Sequence, residues 1–270
     1  QTEVREKDKN KNIAIGAGIF FLLAAGGFYS RWRYVKKSKS VIEKEKDRSE
    51  NLLLNILPSE IAEELKIKGS ADAKDFDLVS ILFTDFKEFT QVSEKLTAKE
   101  LIDEINVCFK AFDLICEKHG IEKIKTIGDA YMAAGGLPVP SENSVKNTVL
   151  AGLEMQTFIS NRIEEKDRLN ELSFKMRLGI HTGPVVAGIV GVKKFQYDLW
   201  GDTVNTASRM ESSGQIGCVN ISEDTYALLK NEPDLTFISR GKIKAKGKGE
   251  IAMYFVSKKK QDRTYIKLKT

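Results

Sequence analysis

The chain has 270 residues, 41% of them hydrophobic, enough for one or two domains with a packed core; this excludes an intrinsically disordered protein. Lys and Arg exceed Asp and Glu by 43 to 38, a formal charge of +5 that is too slight at this length to imply a nucleic-acid partner, and none is expected. Cys108, Cys116 and Cys218 contain no C-x-x-C pair, and two histidines exclude a His-rich zinc site, which leaves reduced thiols in a cytosolic domain.

Residues 1–11 precede a stretch, Asn12 to Ser30, with no charged residue. As a helix, Ile13 to Tyr29 would rise ~1.5 Å per residue and come close to the ~30 Å hydrocarbon core of a bilayer, so 12–30 is predicted to be one transmembrane helix. Arg31, Trp32, Arg33, Tyr34, Lys36, Lys37 and Lys39 then form an aromatic and basic collar. By the positive-inside rule everything downstream is cytoplasmic and residues 1–11 are extracytoplasmic. The collar resembles a stop-transfer flank, which argues against a cleaved signal peptide; a buried core helix is the other competing reading. Because the chain does not begin with Met, Gln1 is expected to be internal to a longer protein with a sensor region upstream.

Residues 31–77 are expected to transmit a signal. Val35, Ile42 and Ile56 fall in a seven-residue frame whose remaining member is the polar Ser49, an imperfect parallel coiled coil, with a solvated single helix as the alternative. Pro58 ends this helix, Ser59 to Lys66 starts a second short one, and Lys68 to Asp77 reads as a connector.

A folded domain is predicted from Leu78. The apolar, β-branched run Leu78 to Phe86 has strand length and carries Asp85 near its end. Thr97 and Glu100 are spaced as a capping box, and Leu101, Ile105, Phe109, Phe112 and Ile115 follow at helical spacing until His119 and Gly120. Ile121 to Gly136 reads as a hairpin turning at Gly128-Asp129. A helix over Ser141 to Glu164, a strand over Phe174 to His181, a helix over Thr203 to Ser212 and closing strands complete an α+β or α/β pattern.

Asp85 and Asp129, acceptor-only groups at a strand end and a hairpin tip, suit Mg²⁺ or Mn²⁺, which takes one or two protein carboxylates and fills its shell with phosphate oxygens. Taken alone, the pair is commonplace. The surrounding segments FTDFKEFT (Phe83 to Thr90), EKIKTIGDAYMAAGGLP (Glu122 to Pro138), RLGIHTGPVVAGIVG (Arg177 to Gly191) and QYDLWGDTVNTASRMES (Gln196 to Ser212) resemble, in order and spacing, the signatures of class III adenylyl and guanylyl cyclases. ENLLLNILP (Glu50 to Pro58) resembles the transducer helix that precedes this domain in membrane-bound and bacterial members.

The resemblance implies a ferredoxin-like α+β cyclase homology domain over 78–257, an antiparallel-rich sheet with helices packed on it, followed by a basic tail at 258–270. It implies a membrane-anchored adenylyl cyclase that converts ATP to cyclic AMP and pyrophosphate with two Mg²⁺ or Mn²⁺ ions. Asp85 and Asp129 match the metal-binding aspartates, with the backbone carbonyl of Phe86 as a further ligand, and Phe86 to Thr90 match the loop whose N–H groups meet phosphates. Many relatives carry Gly where this chain has Glu88.

Lys125 and Asp198 match the purine-selecting pair, where guanylyl cyclases carry Glu and Cys. Asn205 and Arg209, four apart on one helix, match the ribose-orienting and transition-state residues, while Lys246 and Arg177 match phosphate-contacting positions. His181 is expected to be a structural strand-end residue. The family assembles its site from two subunits, and because this chain holds both residue sets a homodimer is implied. A guanylyl cyclase and a catalytically silent dimerisation module are the competing functions.

Overall fold

The computed structural model describes residues 2–191 and 195–259, so the expected tail at 258–270 lies almost wholly outside the described residues. Two compact units divide between Ile56 and Leu57.

The first unit is one helix, α1 (Thr2–Leu54). The membrane-spanning and coiled-coil helices expected separately are therefore continuous, since no proline interrupts the run before Pro58. Helix α1 contains an apolar window with mean hydropathy 1.8, none of it buried, and it is long and apolar enough to cross a membrane. The helix stops four residues short of Pro58, where proline offers no N–H to Leu54 and its ring would crowd that carbonyl. Ile56 thus lies outside the helix and cannot belong to a heptad seam, which corrects that expectation.

The second unit opens with α2 (Ser59–Lys68), closed by Gly69 at φ 74°. It continues through β1 (Lys74–Lys87), α3 (Phe89–Ser93), α4 (Ala98–His119), β2 (Glu122–Ile127), β3 (Ala130–Gly135) and α5 (Ser144–Arg168). Then come β4 (Lys175–Val190), β5 (Gln196–Trp200), α6 (Asp202–Ser212), β6 (Val219–Ser222), α7 (Glu223–Leu229), β7 (Leu235–Ala245) and β8 (Gly249–Lys258). Strand β1 begins at Lys74 rather than Leu78, because Lys74 to Phe76 pair with Val185 to Ala187 of β4, a partner no local pattern announces. The capping box at Thr97 and the hairpin around Gly128 form as expected.

One mixed sheet runs β2-β3-β1-β4-β6-β8-β7, with β5 on β4; among the described residues only the β4–β6 pairing is parallel. This is an α+β fold with an antiparallel-rich sheet. Leu82, Phe86, Met176, Leu178 and Ile180 face one side and share a core with Phe112 of α4 and Met155 of α5. Residues alternate along a strand, so Asp85, Arg177 and Gly179 face the opposite side. There α6 lies directly on the sheet: a Cβ at Gly179 would collide with the Glu211 backbone nitrogen.

Candidate active site

Asp85 and Arg177 are direct cross-strand partners of β1 and β4, and Arg177 Nη2 donates to Asp85 Oδ2 at 2.6 Å. The same guanidinium has its Nε 2.9 Å from Glu211 Oε1 on α6. Arg177 therefore bridges two carboxylates of its own chain. Asp129, in the β2–β3 turn, lies near Asp85, and its carboxyl is raised above the usual value by burial first and also by that neighbour. Burial and then Asp85 push Glu211 up to about 7, against the pull of Arg177.

Two aspartates and the Glu211 carboxyl around a single guanidinium make an acidic corner on the face of the sheet under α6. Asp85, Asp129 and the Phe86 backbone offer only oxygen donors, which fits a hard divalent cation. No group of three or more His, Cys, Asp or Glu is arranged for a metal among the described residues. A cation held by the two aspartates would take its remaining ligands from phosphate or water.

The loop after β1 turns at Glu88, whose φ of 60° is the left-handed conformation that favours glycine. The glycine that the sequence resemblance implies at this position would suit that backbone, and Glu88 adopts it here at a steric cost. Phe86 and Phe89 both pack on Phe174, with the Phe86 ring 4.8 Å from it. Thr90 is exposed, and its carbonyl accepts from Ser93 Oγ at 2.8 Å and caps the short α3.

A second cluster joins β2 to β5. Lys125 Nζ donates to Asp198 Oδ2 at 2.5 Å, and Asp198 Oδ1 accepts from the Leu199 N–H at 2.8 Å. The two sequence-predicted purine selectors are thus each other's partner, a pairing the sequence reading did not anticipate.

Asn205 and Arg209 lie on one face of α6, exposed and half-buried respectively, with no side-chain partner among the described residues. At ~100° per residue Arg209 points ~200° away from Glu211, so this face turns from the chain's own aspartates. Lys246 is exposed in the β7–β8 turn, while Lys248 of the same run pairs with Asp202 at the start of α6. His181 sits in the middle of β4 rather than at its end, because β4 runs on to Val190. It is buried, its Nδ1 lies 2.7 Å from Ser222 Oγ, and burial lowers its pKa.

Glu211 was missed by sequence reasoning. Its signal was an acid four residues after Ala207 and eight after Thr203, on the buried face of α6.

The sequence profile described as Adenylate and Guanylate cyclase catalytic domain matches residues 71–258. Guanylate cyclase soluble subunit beta-2 of Rattus norvegicus is 39% identical over 215 residues, 78% of this chain and 30% of that protein. An adenylate cyclase of Mycobacterium tuberculosis (H37Rv) is 38% identical over 225 residues, 83% of this chain and 49% of that protein. The chain thus spans less than half the length of either curated relative. The solved adenylyl cyclase CyaB from P. aeruginosa superposes with TM-score 0.66 at 27% identity, covering 71% of this chain and 99% of that one. The guanylate cyclase domain of RhGC from Catenaria anguillulae, in complex with GTP, gives 0.63 at 30% identity over 69% of this chain and 100% of that one.

Proposed function

Because the chain belongs to the adenylate and guanylate cyclase catalytic domain family, we propose that it is an adenylyl cyclase, converting ATP to 3′,5′-cyclic AMP and pyrophosphate as a membrane-anchored homodimer. Relatives of both substrate classes are nearly equally similar, at 39% and 38%, so overall identity does not choose the base. The observation that carries the choice is the donor and acceptor set side by side, Lys125 and Asp198. Adenine offers an acceptor at N1 and a donor at N6, matching Lys and Asp; guanine reverses both.

In this reading Asp85, Asp129 and the Phe86 carbonyl would hold two Mg²⁺ or Mn²⁺ ions. When bound, such ions neutralise triphosphate charge and favour attack of the ribose 3′-oxygen on the α-phosphorus. Backbone N–H groups of Phe86 to Thr90 receive phosphate oxygens at the start of α3. Arg177 moves from Asp85 to a phosphate, and Lys246 approaches the terminal phosphates. Asn205 orients the ribose, and Arg209 stabilises charge on the phosphoryl group in the transition state. The outward face of α6 supports a shared site, since Arg209 serves the aspartates of a second copy more readily than its own.

The apolar stretch of α1 supports the anchor, with the collar from Arg31 to Lys39 on the cytoplasmic side. Residues 31–77 read as the transducer and 78–257 as the catalytic domain. The test is purified protein with Mn²⁺ and either ATP or GTP, with cyclic products separated by chromatography. Cyclic AMP from ATP is the expected product. Cyclic GMP alone would overturn the substrate, and no product from a folded dimer would overturn the enzyme.

A further inference from the structure

Arg209 has no side-chain partner among the described residues, so its aim is set by the helical turn that carries it. That turn is the last of α6, where helix geometry leaves carbonyls without donors. Two are closed locally: Ser213 N–H on Arg209 O at 3.0 Å, and Gly214 N–H on Glu211 O at 2.8 Å. Two more, that of Met210 and that of the C-cap residue Ser213, are reached from distant strands. Met210 O accepts from Asn220 Nδ2 of β6 at 2.7 Å, and Ser213 O from Arg240 Nη1 of β7 at 2.8 Å.

The two donors are themselves joined, Arg240 Nη1 donating to Asn220 Oδ1 at 2.9 Å. A guanidinium only donates, so this contact determines that Asn220 presents its NH₂ to Met210. Asn220 is fully buried, and the Arg240 guanidinium lies 4.2 Å from the centroid of the Phe255 ring. Its positive charge also meets the negative end of the helix dipole. Gly179, the cross-strand partner of Asn220, lies against the same turn, so the base of Arg209 is seated on β4 and β6 together.

We propose that Arg240, acting with Asn220 on the C-terminal carbonyls of α6, is a positioning residue for Arg209. This rests on the reading of Arg209 as a transition-state group in a site shared between subunits. The test uses co-expressed full-length heterodimers of an Asp85→Ala chain and an Arg209→Ala chain, which retain one intact site. In that site Arg209 comes from the Asp85→Ala chain. Adding Arg240→Gln to this chain is expected to lower kcat about 100-fold, the scale of an ångström-sized misplacement, with KM within about 3-fold. The same change on the Arg209→Ala chain is expected to cost less than about 3-fold.

Equal losses in both placements, or none in either, would overturn the proposal while leaving the shared site standing. If the parent heterodimer recovers no activity the shared site falls, and a homodimer cycle then decides: Arg240→Gln added to Arg209→Ala costs nothing further if Arg240 acts through Arg209. An additive loss would overturn it. Should Arg240→Gln fail to fold, Asn220→Ser, which removes the donor to Met210, takes its place under the same outcomes.

Discussion

Lys125 and Asp198 form an ion pair before either meets a purine, which changes how their substitutions behave. Lys125→Glu alone sets two carboxylates against each other, and Asp198→Cys alone leaves a part-buried ammonium without its partner. The single variants are therefore expected to be less stable and less active than the double. With charge-assisted contacts worth roughly 1.5–3 kcal/mol, the double variant should lower the ATP/GTP ratio of kcat/KM at least ~10-fold. A double variant with full ATP preference would place base recognition elsewhere. Glu211 makes a pH prediction. Its carboxyl is pushed up to about 7 in the fold from 4.5, so the native state holds a proton that the unfolded chain releases between those values. Stability should fall as pH rises through that window. Glu211→Gln should flatten the dependence of Tm on pH measured there with chelator present; an unchanged slope would contradict the assignment. Glu88→Gly relieves a left-handed backbone and should gain roughly 1 kcal/mol, read as a higher Tm.

Helix α6 presents Glu211 to the chain's own aspartates and Asn205 with Arg209 to the other side, so its placement on β4 matters at both. Gly179→Ala drives a methyl group into the Glu211 backbone. We expect a loss of about 1–3 kcal/mol and most of the turnover, because a backbone obstacle cannot rotate away. Gly152→Ala is the control, since its Cβ would meet the Leu178 Cδ2 methyl at 3.1 Å, the end of a flexible side chain. Unfolding and turnover measured on both should separate them, and equal effects would contradict the close approach as the cause. Other elements stand on local chemistry. Thr97 Oγ1 accepts from Glu100 N–H at 3.3 Å while Glu100 Oε2 takes the Thr97 N–H at 2.8 Å, and four residues suffice to announce that start.

For the whole molecule, the split between Ile56 and Leu57 gives a prediction about partition. The full chain should remain in carbonate-washed membranes, held by the apolar stretch of α1. A chain beginning at Leu57 should move to the soluble fraction with its sheet and core intact, as read by circular dichroism. Retention of that shorter chain in the membrane would assign the anchor to another surface.

By itself the sequence determined an α+β or α/β pattern, which the family resemblance narrowed to α+β, together with the capping box at Thr97, the Gly128 hairpin and the apolar helix, and it nominated the motif-borne candidates, because each is written in contiguous residues. It left open what depends on distant strands. The start of β1 at Lys74 needed Ala187 opposite it, and the length of β4 needed β5. That Arg177 bridges Asp85 and Glu211, that Lys125 bonds Asp198, and that Arg209 turns from its own aspartates were decided only in three dimensions. Sheet register and helix rotation bring together side chains tens of residues apart, and no local periodicity encodes which of them will meet.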